Sequence, residues 1–146
     1  MRVYIPATVG QLREVASGAW EPVSAFAVTD RMLEIAPDMD PDEAAEEVIH
    51  VAAMESALRL ESPLRVVVAV DHPRSDIVAL PGAHPAAVSL AGRVRQDTVV
   101  CLFVDEPEAE PDVAGALIDD EAALDRLVGR DLLWYDVSEI DAIALV

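Results

Sequence analysis

The stretch Arg65-Val66-Val67-Val68-Ala69-Val70-Asp71 decides the fold. Its centre has no polar position on either face, whereas a strand with one face in water alternates apolar and polar residues. A strand of this kind has to be covered on both faces. Residues 98–104, with the sequence TVVCLFV, repeat the pattern further along the chain. Two such strands predict a sheet that lies between layers of helices.

The segments around these two strands supply the remaining elements. Residues 2–5, 23–28 and 132–137 are typical of further strands, and residues 77–80 and 86–90 flank Pro81-Gly82 as the arms of a hairpin. The run Asp40-Pro41-Asp42-Glu43 predicts the start of a helix that continues to residue 60. It combines an Asp cap, a Pro at the first helical position and acids in the first turn.

Together these elements predict an α/β fold with a mixed β-sheet and helices on both faces of that sheet. The hairpin supplies at least one antiparallel strand pair, so the sheet is not expected to be all parallel. A two-layer α+β arrangement is the alternative. The length of 146 residues is that of one ordinary domain, so we expect a single globular domain over residues 1–146.

The charge of the chain is strongly negative and uneven. The net charge is −18, and there are ten cationic side chains against 28 acidic ones, all of the cations being arginine. Residues 30–61 and 105–141 carry most of the acids. Such a chain repels nucleic acid and anionic membranes, so neither is expected as a partner. A basic protein or a divalent cation is the partner that this charge favours.

Apolar runs and cysteine content bear on the location of the protein. No apolar run approaches the roughly 18 residues that a membrane span needs, and residues 1–10 lack the apolar segment of a secretory signal. The chain has one cysteine, Cys101, which lies in a strand of the buried type and is expected to act as a small hydrophobic residue. These features favour a cytoplasmic location.

Three acids follow predicted strands: Asp71, Asp105 and Asp136. If these strands are parallel and adjacent, the three carboxylates converge beyond the strand ends, where ligands bind in open α/β sheets. Hard oxygen ligands of this kind suit Mg²⁺ or Mn²⁺. In that hypothesis His72 is the base and Arg74 binds an anion, which describes a hydrolase of phosphate esters. The simpler interpretation, which the pattern favours, is that these acids only start turns.

Several further side chains are candidates with a plain structural alternative. Glu55 and Arg59 are spaced i, i+4 on a predicted helix and form either a structural ion pair or a functional one. His84, in the hairpin loop, is placed to approach Asp71. Arg93 and Arg95 alternate, as if the second hairpin arm continued and both faced one side. The Leu133-Trp134-Tyr135 cluster is expected in the core rather than at a ligand.

Four segments resemble a family of short, uncharacterised actinobacterial proteins of unknown function. They lie at residues 2–6, 25–29, 66–71 and 132–136 and follow one another in the same order over most of the chain. The sequence departs from the family pattern after Thr29, where Asp30 and Met32 replace a Pro-containing helix start. The resemblance implies a stand-alone domain, and it carries no known activity, cofactor or site.

Two functions remain in view. No nucleotide-binding loop of the form GxxxxGK[ST] occurs, and no HExxH or CxxC spacing or GxSxG elbow occurs either. The first hypothesis is therefore a non-catalytic binding or interaction domain that meets a basic protein partner or associates with itself. The alternative is the divalent-metal hydrolase described above.

Overall fold

The computed structural model describes residues 1–144, which contain one seven-stranded sheet. The spatial order of the strands is β4-β5-β2-β1-β3-β6-β7. Their bounds are Arg2–Ala7 for β1, Ser24–Phe26 for β2, Val66–Asp71 for β3, Ile77–Ala79 for β4, Ala87–Leu90 for β5, Val99–Val104 for β6 and Leu133–Tyr135 for β7. The two continuous apolar stretches thus become the neighbouring strands β3 and β6, inside the sheet.

Six α-helices connect these strands within the same described residues. They are α1 Leu12–Ser17, α2 Asp30–Ile35, α3 Pro41–Leu58, α4 Glu110–Leu117, α5 Glu121–Val128 and α6 Ile140–Ala144. The Asp40 carboxylate accepts a hydrogen bond from the Asp42 amide at 2.8 Å, which confirms the predicted start of α3. None of the helices described in this chain is both long and apolar enough to cross a bilayer.

Helices cover both faces of the sheet. On one face, Leu12 and Val15 of α1 and Ile140 of α6 pack against the side chains of β1, β3 and β6. On the other face, Val48 and the small alanines of α3 pack against β1, β2 and β3. The strands at the centre therefore carry apolar side chains at successive positions, as the sequence predicts. The α/β class with helices on both faces of the sheet is confirmed.

The strand directions differ from a mixed sheet, because every neighbouring pair in the described part of the chain is antiparallel. Unbroken apolar strands are typical of parallel sheets, since crossover helices cover both faces there. Here α1 and α6 on one side and α2 and α3 on the other supply the same cover without crossovers between parallel neighbours. Burial on both faces explains the apolar pattern, and strand direction does not enter into it.

The predicted hairpin forms, with β4 paired to β5 and Gly82 in the connecting loop at φ +84°. Its second arm ends at Leu90, so the expectation that Arg93 and Arg95 continue this strand is wrong. The chain turns away at Gly92, whose φ of +82° favours glycine. Arg93 and Arg95 then pair with different acids, Glu21 at 3.9 Å and Asp97 at 2.8 Å.

Candidate functional site

The three acids that were expected to bind a metal lie apart. Val66 of β3 is paired with Val104 of β6, so Asp71 and Asp105 lie at opposite ends of these two strands. The predicted convergence required parallel strands and is wrong for that reason. In residues 1–144 no group of three or more His, Cys, Asp or Glu side chains is arranged to hold a metal ion.

Each of these carboxylates has a local structural partner. Asp71 accepts from the Arg2 guanidinium at 2.7 Å, and this hydrogen bond lowers the pKa of the Asp71 carboxyl. Asp136 caps the short 3-10 helix that follows it and accepts from the Ser138 hydroxyl at 2.6 Å, which lowers its pKa. Asp105 is buried against Arg65. Only Asp136 has the turn-starting role of the simpler interpretation, whereas Asp71 and Asp105 are held in ion pairs with arginines.

The two weak catalytic candidates next to Asp71 point elsewhere. His72 is buried, and its Nε2 atom lies 2.8 Å from the Ala91 carbonyl oxygen. Since a carbonyl only accepts, this nitrogen carries the proton. His84 does not approach Asp71, because its Nδ1 accepts from the Ala86 amide and its ring stands edge-on to Phe26. Arg74 is exposed at the start of the hairpin.

Two other candidates have the structural role that the sequence favours. Glu55 and Arg59 form the predicted i, i+4 ion pair, and both side chains are partly exposed to solvent on α3. An exposed pair of this type contributes little to folding. Cys101 is buried in β6, and this burial raises the pKa of its thiol, with the nearby Trp134 indole opposing the rise. A thiol in this state is a poor nucleophile at neutral pH.

The feature that stands out is an acidic groove between α3 and the β6–β7 end of the sheet. Its volume is about 620 Å³. Phe103 of β6 lines it, and so does Leu132, which precedes β7. We call it the α3–β7 groove and define its wall by the polar α3 residues that line it, which are Glu43, Glu46, Glu47 and His50; Ile49 and Ala53 line it as well.

The wall of the α3–β7 groove is one helical stripe. Its members are spaced i, i+3, i+4 and i+7, the spacing of side chains that share one face of a helix. Like charges at such spacings repel each other and destabilise a helix. None of Glu43, Glu46 and Glu47 forms an ion pair within the residues that the structure describes. Glu43 lies in the first turn of α3, where the helix dipole favours a negative charge, but the charges of Glu46 and Glu47 are not compensated by any ion pair among the described residues.

The arginines that line the groove do not neutralise the stripe. Arg65 is paired with Asp105, and Arg130 is shared by Glu106 and Asp112 at 2.7 and 2.9 Å. Both guanidinium groups thus have carboxylate partners that do not belong to the wall. The groove keeps a negative potential, since the wall carries three carboxylates and Asp131 adds a fourth charge.

An aromatic side chain lies beside the groove on the same face of the sheet. Trp134 is paired with Phe103 across β7 and β6, so the two side chains project from one face. Trp134 is 59% exposed and Leu133 is 42% exposed, so the expectation that this cluster belongs to the core is wrong for these two residues, whereas Tyr135 packs against the core. β7 is the last strand of the sheet, and an edge strand offers unpaired backbone groups to another chain.

The sequence contains part of this signal. The acids at positions 43, 46 and 47, three and four residues apart, can be recognised on a helix whose start is clear. The exposure of Trp134 could not be recognised, because it depends on β7 being at the edge of the sheet. Strand order is set by contacts between residues that are far apart in the chain.

The comparisons with known proteins agree with the resemblance to an uncharacterised family. No curated protein and no solved structure gives a significant match to the chain. One family model does match, over residues 1–144, which is every residue that the structure describes. The chain therefore belongs to the family of unknown function DUF6912.

Proposed function

We propose that this protein is a non-catalytic interaction domain that binds an extended, basic segment of a partner protein along the α3–β7 groove. The observation that carries the proposal is the acidic stripe on α3, which lines a groove beside an edge strand with an exposed tryptophan. The partner's backbone adds to β7 as a further strand, and its alternate side chains point towards the groove.

Charge complementarity selects a basic segment. Lysine or arginine side chains that extend across the groove meet the carboxylates of Glu46 and Glu47, which have no cation of their own among the described residues. The net charge of −18 also attracts a basic segment from a distance and accelerates its association. An acidic segment would be repelled both during its approach to the protein and in the groove itself.

The exposed apolar side chains select an apolar residue at one position. Trp134 presents a large, rigid surface next to Phe103, and such residues contribute much of the binding energy at protein interfaces. A partner segment with alternating basic and apolar residues can pair with the edge strand, cover the tryptophan and bind the acidic stripe at the same time. Pairing of two β7 edges in a dimer would satisfy the strand alone and would bring two acidic stripes together.

Peptide binding to the intact protein tests the proposal. We expect a short peptide of alternating Lys and Val to shift Trp134 fluorescence to shorter wavelength, because the indole loses water when the peptide covers it. A matched peptide of alternating Glu and Val should leave the fluorescence unchanged. The dissociation constant for the basic peptide should rise with salt, since the contacts are exposed ion pairs.

A charge-matched pair of variants locates the binding site. The double variant Glu46→Gln, Glu47→Gln should weaken peptide binding by about threefold to tenfold, as expected for two exposed charge pairs. The control Glu14→Gln, Asp141→Asn removes the same charge from α1 and α6, on the other face of the sheet. If both double variants weaken peptide binding equally, the effect comes from overall charge and not from the groove, which would contradict the proposal. If the protein forms a dimer through β7 and binds no peptide, self-association is its function instead.

A further inference from the structure

The arginines divide into those that are paired with acids and those that are not. Seven of the ten form ion pairs with Asp or Glu within residues 1–144. The three that form none there are Arg13, Arg31 and Arg74. Two of these three, Arg31 and Arg74, line the same cavity.

This cavity lies between α2 and the β4–β5 hairpin, away from the α3–β7 groove. Its volume is about 700 Å³, within the range of small-molecule sites. Most of its lining is apolar and comes from the hairpin, including Ile77, Leu80 and Val88. We call it the hairpin cavity. Its charged side chains among the described residues are Asp30, Arg31 and Arg74, and Met1, whose ammonium group donates to the His72 carbonyl oxygen at 2.9 Å, lines it as well.

Local hydrogen bonds hold α2 and the hairpin together at the cavity. The Thr29 hydroxyl donates to the Pro85 carbonyl oxygen at 2.5 Å and accepts from the Met32 amide at 3.1 Å. Arg31 donates one Nη1 hydrogen bond to the Ala83 carbonyl oxygen at 3.3 Å. The Arg31 side chain is thus oriented at the cavity, and most of its donors remain free for a ligand.

We propose that the hairpin cavity binds a small organic carboxylate with an apolar body. The apolar lining takes the body, and Arg31 and Arg74 donate to the carboxylate, whose planar geometry matches the guanidinium fork. Asp30 offsets part of the positive charge that the two arginines and the Met1 ammonium group bring to the cavity lining. This site and the peptide site of the α3–β7 groove share no residue.

NMR titration of the full chain tests the proposal, with octanoate as the probe and 1-octanol as its uncharged analogue. The titration is made at about 150 mM salt, where charges more than about 8 Å away are largely screened. We expect octanoate to shift the backbone amide signals of Ile77, Ala79 and Val88 and to bind more tightly than 1-octanol. Octanoate shifts confined to other parts of the chain would overturn the proposal, as would equal binding of the two probes.

Variants test whether the two arginines of the cavity bind octanoate, with the third unpaired arginine, Arg13, as the control. Arg31→Gln and Arg74→Gln should each weaken octanoate binding about three- to fivefold, as expected for exposed ion pairs, and the double variant about tenfold. Arg13→Gln, on α1, should bind octanoate like the wild type. Binding of 1-octanol should be the same in the wild type and in all four variants. Unchanged octanoate affinity in the double variant would also overturn the proposal, and the amide spectrum verifies that this variant is folded.

Discussion

Arg65 and Asp105 form a two-pronged ion pair that is buried between the start of β3 and the end of β6. The guanidinium Nε and Nη2 atoms each donate to one carboxylate oxygen at 2.9 Å, and the side chains are 1% and 0% exposed. The Arg65 amide also donates to Asp105 Oδ2 at 2.9 Å, and the Asp105 amide donates back to the Arg65 carbonyl. Side chains and backbone thus join the neighbouring strands β3 and β6 at one end.

Loss of one partner from this pair should be severe. Asp105→Asn leaves the Arg65 guanidinium buried without a counter-charge, and we expect the free energy of unfolding to fall by about 3–5 kcal/mol. Urea unfolding followed by circular dichroism measures the change.

A double variant provides the control for that measurement. Arg65→Met with Asp105→Leu removes both charges and should lose less stability than Asp105→Asn alone, because a buried pair is expensive to desolvate. If the double variant loses as much free energy of unfolding as the single variants Arg65→Met and Asp105→Leu added together, the two side chains do not act as a unit.

A second prediction concerns the contact between α4 and α5. A Cβ atom added at Gly115 would lie 2.5 Å from the Ala123 Cβ, closer than two carbons approach. Gly115→Ala should therefore reduce the free energy of unfolding by about 1–3 kcal/mol, although alanine is the better helix former. Adding Ala123→Gly should recover part of this loss. Gly129→Ala, where the nearest atoms are at 3.7 Å, should have little effect in the same thermal or urea assay.

The third prediction is a pH dependence that Asp112 produces. Arg126 and Arg130 donate to its two oxygens at 2.8 and 2.9 Å, and these hydrogen bonds lower the pKa of the Asp112 carboxyl. A lowered pKa in the folded state stabilises the protein above the pKa of the unfolded chain, which is about 3.9 for Asp. This contribution is lost as the pH falls through the lower, folded value.

Urea midpoints from neutral pH down to about pH 2 measure this dependence. The wild type should be more stable than Asp112→Asn near pH 7, and the difference should shrink as the solution becomes acidic. Asp125→Asn, which removes an exposed acid outside any ion pair of the described residues, should follow the wild-type curve. A constant gap between the wild type and Asp112→Asn at all pH values would contradict the assignment.

The sequence predicts those features that depend on neighbours in the chain. Thr8 and Gln11 have the three-residue spacing of a capping box, and the structure contains both of its hydrogen bonds. Asp120 interrupts the apolar stripe of residues 113–128, and α4 and α5 are separate helices at this point, with Asp119 at a φ of +61°. The continuous apolar strands correctly indicate cover on both faces. Each of these signals lies within a few residues.

Features that depend on strand pairing could not be predicted. Asp105 was recognised as an acid at a strand end, but its partner Arg65 lies 40 residues earlier. The pair forms only because β3 and β6 are antiparallel neighbours. The antiparallel pairing of β3 and β6 also places Asp71 and Asp105 at opposite ends of these strands. Many strand orders are compatible with the same apolar pattern. The sequence therefore indicates that helices cover both faces of the sheet, but it does not indicate which side chains come together at a site.

The fourth prediction separates binding from stability in the α3–β7 groove. Since Glu43, Glu46 and Glu47 repel each other along one helix face, Glu46→Gln and Glu47→Gln should leave the free energy of unfolding unchanged or raise it by about 0.2–0.5 kcal/mol. Thermal unfolding at low salt measures this effect. A clear loss of stability in either variant would mean that the stripe has a structural partner, which would weaken its assignment to a binding surface.

The last prediction tests the potential of the groove without any partner. The chain has two tryptophans, and Trp20 is 3% exposed whereas Trp134 is 59% exposed, so soluble quenchers reach Trp134 first. Because the groove beside Trp134 is acidic, Cs⁺ should quench this indole more effectively than I⁻, relative to the same ions acting on free tryptophan. The difference between quenching by Cs⁺ and quenching by I⁻ should be smaller in the Glu46→Gln, Glu47→Gln variant, and added salt should reduce it further. Trp134→Phe should remove most of the quenching by both ions. Equal quenching by the two ions in the wild type at low salt would mean that the carboxylates do not act at Trp134, and a basic segment would then have no electrostatic reason to bind there.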